Sequence, residues 1–213
     1  YTLEEYLSTK DYKESLKREL IRWKKKEKQF SATEYKWQVY GLGLKAENPN
    51  KIYHNWIKIT DFEFDDIKRK KGLRSYYGLD FGYAHASACV EVLYDGDRSF
   101  YVRQKFYKPL KECTQPLGNL LIEAGVPTGN VTYIYCDPQD TLVGVGSNIV
   151  NDLRSYHGLN AVKCVKPSYQ DRFNFINNCV IFYTESSGDL EKEYEGYEYE
   201  FINGQTTEKP IKV

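Results

Sequence analysis

At 213 residues and 41% apolar composition the chain can bury one good core with an appendage; its formal charge is zero, with 18 Lys/Arg against 12 Asp/Glu in residues 1–75 and 12 against 18 in the rest. No run approaches the ~20 apolar residues of a membrane span, and Cys89, Cys113, Cys136, Cys164 and Cys179 lack the short pair spacing of zinc sites, which excludes a membrane protein and a zinc module. Free thiols in a reducing cytoplasm are expected, and with neither an initiator Met nor a signal peptide at its start the chain reads as a soluble piece of a longer protein.

Thr2-x-x-Glu5 fits a capping box, and Leu3, Leu7, Leu16, Leu20, Ile21 and Trp23 recur as on an amphipathic helix, whose basic end Arg22 to Lys28 suits the helix dipole. Tyr35 to Tyr40 and Lys51 to Ile59 read as strands. The charged stretch Asp61 to Arg74 reads as a linker or exposed turn, and the domain boundary is placed at its end, dividing 1–74 from 75–213. Ser75 to Phe81, Ala86 to Tyr94 and Ser99 to Tyr107 follow as three strands, the last two joined by the turn Asp95-Gly96-Asp97. Next come a helix near Gln115 to Ala124, a strand Val131 to Cys136, a helix Ser147 to Tyr156, a strand Asn160 to Val165, a helix Tyr169 to Asn178 and a strand Val180 to Tyr183. The alternation Tyr194 to Glu200 reads as a strand or edge. This order predicts an α/β protein with an RNase H-like mixed sheet: a three-stranded antiparallel meander plus parallel strands, flanked by helices, with an N-terminal helical and strand appendage.

Two aspartates stand out. Gly78-Leu79-Asp80-Phe81-Gly82-Tyr83 puts one carboxylate at the end of an apolar strand, before a glycine turn, and Val131 to Cys136 delivers Asp137 in the same way. A carboxylate buried alone is costly, so each needs a partner such as a cation. On neighbouring strands the two would converge at one sheet edge, the hard-oxygen set that Mg²⁺ or Mn²⁺ requires.

The same residues carry a resemblance. Gly78 to Tyr83 and Tyr135-Cys136-Asp137 resemble the first and second catalytic motifs of the nuclease domain of tailed-phage large terminases. Upstream, Trp37 to Gly43 and Lys51 to Trp56 resemble the segment by which that family leaves its ATPase domain, so the likeness is collinear over nearly the whole chain. It implies an RNase H-like endonuclease that hydrolyses duplex DNA with two divalent cations, Asp80 bridging both and Asp137 holding one. Residues 1–74 would be the end of the ATPase domain and linker, and 75–213 the nuclease. It further implies portal and small-subunit partners and work in the cytoplasm of an infected bacterium.

The chain departs from the family's pattern after Tyr83, where the expected loop carboxylate is absent and His85 stands nearby. The family's last acid, in an Asp-His-x-x-Asp helix, has no counterpart before Val213. Secondary candidates are Asp140 and Asp152, read first as cap or helix-face residues, and Glu185 and Asp189, read as loop residues near the site. Lys68, Arg69, Lys70, Lys71, Lys163 and Lys166 are candidates for phosphate contacts. Three other readings stay open: a resolvase or transposase sharing the two aspartates, an actin-like or sugar-kinase ATPase fragment through Asp80-Phe81-Gly82, and a catalytically inert packaging-motor domain.

Overall fold

The computed structural model describes residues 51–137, 149–202 and 205–211, with the backbone alone for 201, 202 and 205–208. One compact unit spans Tyr53–Gly196, and a second draws on the residues before and after it. In the first, the elements are β1 (Trp56–Ile59), α1 (Asp61–Lys71), β2 (Ser75–Asp80), β3 (Ala86–Tyr94), β4 (Ser99–Pro109), a 3₁₀ turn at Leu110–Glu112, α2 (Leu117–Glu123), β5 (Gly129–Cys136), α3 (Ile149–Ser155), β6 (Leu159–Lys163), α4 (Tyr169–Asn177), β7 (Val180–Thr184) and α5 (Gly188–Gly196).

Among the described residues these strands form one seven-stranded sheet in the order β1-β7-β4-β3-β2-β5-β6. Strand β3 runs antiparallel to β2 and β4, which makes the meander. The pairs β2–β5, β5–β6, β4–β7 and β1–β7 are parallel. The carboxyl ends of every strand but β3 therefore face one edge of the sheet. Alternation fixes the faces: Ser87, Cys89, Glu91 and Leu93 of β3 are buried on one side, with Tyr77 and Leu79 of β2 and Ile134 and Cys136 of β5. On that side Leu117 and Leu121 of α2 and Val150 and Leu153 of α3 complete the largest cluster, and Phe64 of α1 packs with Leu93 and Tyr101. Each fully buried aliphatic side chain contributes on the order of 1.5–3 kcal/mol. The opposite side packs Val102 and Ile181 with Ile176 of α4 and Leu190 of α5.

The stretch Asp61–Lys71 is a helix and not a linker. Thr60 and Glu63 form a reciprocal capping box, and Gly72 closes the helix in the left-handed region at φ 60°. Phe64 buries itself, and Arg103 of β4 lies over the Phe64 ring at 4.0 Å. Since β1 is an edge strand and α1 packs on the sheet, the boundary at residue 74 falls inside the compact unit. That unit begins at Tyr53 and ends at Gly196. Its edge is held by Trp56, stacked on Tyr194 with ring centres 4.6 Å apart. Tyr194 thus lies in the last turn of a helix, and the expected strand starts only at Tyr199. In the second unit β8 (Tyr199–Ile202) and β9 (Gln205–Pro210) make a hairpin, and Lys51 bridges Glu198. The N-terminal helix and the strand Tyr35 to Tyr40 lie outside the described residues. No described helix is long and apolar enough to cross a membrane.

The basic end of α1 is consumed internally. Lys68 pairs with buried Glu91 at 2.7 Å, Arg69 and Lys70 with Asp66 at 2.7 Å, and Lys71 with Asp95 at 3.1 Å. Burial alone would raise the Glu91 carboxyl, but hydrogen bonds from Lys68 and Ser75 overcome it and hold the group below its usual range. Lys68→Met, which leaves buried Glu91 the Ser75 hydroxyl but no ammonium, should lower stability by about 2–3 kcal/mol, somewhat under the loss for a fully buried pair because Lys68 is part-exposed. Lys70→Ala, on an exposed pair, should move it by less than about 0.5 kcal/mol. Urea titrations check both. The Lys68 effect should be full at neutral pH and fade in acid, because a lowered carboxylate stabilises above its unfolded pKa and ceases to do so as pH falls through the folded one.

Candidate active site

Asp80 is the last residue of β2, and Asp137 is the first beyond β5. The parallel register pairs Tyr77 with Ile134 and Leu79 with Cys136, and the Asp137 N–H donates to the Leu79 carbonyl at 3.0 Å. The two aspartates therefore sit side by side at the carboxyl edge of adjacent strands. Because Leu79 and Cys136 are buried on the face that α2 and α3 cover, alternation sends Asp80 and Asp137 to the other one, where Tyr133 and Tyr135 are exposed.

Their carboxyl groups lie within hydrogen-bonding reach of each other. Although Asp80 is solvent-exposed, desolvation by the surrounding protein first, and Asp137 second, push its carboxyl above the ordinary range. The Lys166 ammonium and the Phe81 N–H, which donates to Asp80 Oδ1 at 3.1 Å, act in the opposite sense. Lys166 Nζ forms an ion pair with Asp137 Oδ2. It is brought there because the β5–β6 ladder runs one step past Lys163, the Cys164 N–H donating to the Cys136 carbonyl at 2.9 Å.

The turn after Asp80 is tightly built. A Cβ on Gly82 would lie 2.5 Å from the His85 carbonyl oxygen and 2.6 Å from that of Ala86. Buried Ser87 clamps the turn: its hydroxyl accepts from the Gly82 N–H at 2.8 Å and donates to the Gly82 carbonyl at 2.9 Å. The Leu110 and Lys111 N–H groups donate to the Gly82 and Tyr83 carbonyls at 3.1 Å. Ser87 was not singled out in the sequence. Its place in phase with Cys89, Glu91 and Leu93 was the available signal, since a hydroxyl at a buried strand position needs a local partner.

The other candidates are dispersed. His85 is exposed in the turn beside Asp80. Asp140 lies outside the described residues, and Asp152 is in the first turn of α3. Glu185 follows β7, which β4 and β3 separate from β2, roughly 14 Å away at normal strand spacing. Asp189 is not in a loop: it opens α5 and accepts from Gln104 at 3.0 Å and Lys192 at 3.2 Å. Lys166 reaches Asp137, whereas Lys163, in register with Cys136 and in phase with buried Leu159 and Ala161, starts on the opposite face of the sheet. Lys68 to Lys71 precede the start of β2, about 17 Å from Asp80 along the strand, and are correspondingly set apart from it.

Two carboxylates at an open strand edge, with coordination positions left for water, fit a hard divalent cation such as Mg²⁺ or Mn²⁺. Among the described residues, no group of three or more His, Cys, Asp or Glu side chains gathers at a point that would hold a metal. All five cysteines are free thiols.

Two outcomes follow. In EDTA, Asp80→Asn should raise the melting temperature at neutral pH, because it removes a charge that the folded site disfavours. The gain should vanish below pH about 3.8, where the carboxyl is protonated in folded and unfolded chains alike, and grow as pH rises, since a raised carboxyl pKa makes the native state lose stability with ionisation. Gly82→Ala should cost about 2–4 kcal/mol, through backbone collisions that only a shifted turn relieves. Thermal melts of the two variants measure both effects.

No protein-family model and no curated protein matches the chain. Among solved structures, the nuclease domain of the P22 large terminase is similar at 13% identity, with a TM-score of 0.51, over 78% of this chain and 82% of that one. The large terminase of a thermophilic bacteriophage, in two crystal forms, is similar at 18% identity and a TM-score of 0.48 over 66% of this chain. The matched part spans about a third of that terminase, 36% and 35% in the two forms. The chain thus has the RNase H-like fold found in the P22 large-terminase nuclease domain.

Proposed function

We propose that the sheet unit is the nuclease of a viral DNA-packaging terminase, a divalent-metal-dependent endonuclease that hydrolyses phosphodiester bonds of duplex DNA. The observation that carries this reading is the convergence of Asp80 and Asp137 on adjacent parallel strand ends, beside a cationic side chain. The fold shared with the P22 domain supports it.

On this reading Asp80 and Asp137 would hold Mg²⁺ or Mn²⁺, which when bound would supply a nucleophilic water at neutral pH and offset charge on the phosphate. The chain's own residues do the positioning. The Ser87 clamp on Gly82 fixes the backbone that follows Asp80, and the Asp137 N–H bond to Leu79 fixes the other carboxylate. Lys166, at the same edge, would offer a sequence-independent phosphate contact. The portal and small terminase subunit would be partners, and the cytoplasm of an infected bacterium the place of work. The gathering of only two acids among the described residues favours one second reading, a packaging-motor domain with an inert centre.

The chain is expected to nick or cut plasmid DNA in Mn²⁺ or Mg²⁺ with little sequence preference, and to stop in EDTA. Asp80→Asn and Asp137→Asn should each slow cutting by roughly a hundredfold or more, which corresponds to the loss of about 3 kcal/mol of transition-state stabilisation. Asp152→Asn should cut normally. Cleavage at an unchanged rate in Asp80→Asn would rule this centre out. Metal-dependent DNA binding without any cleavage would favour the inert motor domain, and a strong preference for four-way junctions would favour a resolvase.

A further inference from the structure

Lys166 makes an ion pair with Asp137, whose carboxyl is within hydrogen-bonding reach of Asp80, so one ammonium serves a site with two like charges. Its position is built into the backbone. The Cys164 N–H bond to Cys136 carries the β5–β6 pairing to the level of Asp137, Pro167 restricts Lys166 to extended conformations, and Ser168 caps α4 by accepting from the Asp171 N–H at 3.1 Å. Three residues of chain, Val165 to Pro167, between the last ladder bond at Cys164 and the helix cap at Ser168 limit where the side chain can start, while its flexible four-carbon stem lets its tip move.

The geometry points to Lys166 as a displaceable counter-cation, a positioning residue that balances the Asp80–Asp137 pair in the metal-free protein and, once a divalent ion takes the carboxylates, turns its ammonium to a DNA phosphate at the same edge. This inference rests on the nuclease reading for the identity of both ligands. An ammonium and a divalent ion compete for Asp137 Oδ2, so ion binding releases a cation 36% exposed to solvent, within one side-chain length of the carboxylates. Metal and duplex DNA then bind with more positive coupling than the ions' own action on the phosphate supplies. Lys163, the other lysine at this edge, ends β6 in register with buried Cys136 and is the charge-matched control.

The test is calorimetric titration of Mn²⁺ into the 213-residue chain, and anisotropy titration of a fluorescent duplex in EDTA and in Ca²⁺. Lys166→Gln should tighten Mn²⁺ binding about fivefold, the upper range for a part-exposed ion pair. Lys163→Gln should change it less, and Lys166→Arg should return it towards the wild-type value. In Ca²⁺ the wild type should bind duplex more tightly than in EDTA, and Lys166→Gln should lose part of that gain together with about one phosphate contact, ~0.9 in the log–log salt slope. Mn²⁺ affinity unchanged or weakened in Lys166→Gln, or tightened equally in Lys163→Gln, overturns the inference while leaving the nuclease reading in place. A wild-type chain that takes up no Mn²⁺ at all removes both. Far-ultraviolet circular dichroism on each variant establishes that the fold is kept.

Discussion

The parallel pairing of β2 with β5 sets two carboxylates against each other, and much of the molecule answers to that juxtaposition. Register is fixed from below: Leu79 and Cys136 are buried side by side, and a slip of one residue in either strand would turn its aspartate into the core beneath α2 and α3. Once the register is set, Asp80 and Asp137 cannot both be ionised without repulsion, and neither can leave, because each is the residue at which its strand ends. A cation is then the economical solution, and Lys166 supplies a monovalent one from the next strand connection.

Rigidity around the pair comes from backbone hydrogen bonding more than from side-chain bulk. The turn Gly82–His85 is held from three sides, by the Ser87 hydroxyl and by the Leu110 and Lys111 amides, so the end of β2 has few alternatives. Gly82 is where the chain passes too close to its own carbonyls for a side chain. The far end of the sheet is fastened differently. There α1 is tied down by ion pairs, the part-buried Lys68–Glu91 contact among them. One sheet thus has a hydrogen-bonded edge that bears the candidate chemistry, and an ion-paired end that holds the framework.

This division changes how the charge distribution reads. A basic run such as Lys68 to Lys71 looks like a nucleic-acid surface in one dimension, yet each of its charges finds a carboxylate in the fold. The lysine that does meet the Asp80–Asp137 pair, Lys166, stands outside that run and is brought there by the β5–β6 pairing. Density of charge in the sequence is a poor guide here, since electrostatic partners are chosen by distance in space.

What the sequence determined by itself was periodic or punctuated. The meander from Ser75 to Pro109, the β5–α3–β6–α4–β7 alternation and the two strand-end aspartates were legible, because alternation and helical spacing are local consequences of burying one face. The helix Asp61–Lys71 was not legible as such. With eight charged residues in eleven its apolar contact reduces mainly to Phe64 and Ile67, too thin a stripe to read without the sheet beneath it. Tyr194 misled for a related reason: its environment is the Trp56 ring, 138 positions away in the chain. Only the tertiary structure decided that β1 closes the sheet beside β7, that Glu185 and Asp189 lie across two intervening strands from Asp80, and that Lys166 meets Asp137. Strand order and side-chain pairing between distant segments depend on how whole faces pack, and no local pattern encodes that choice.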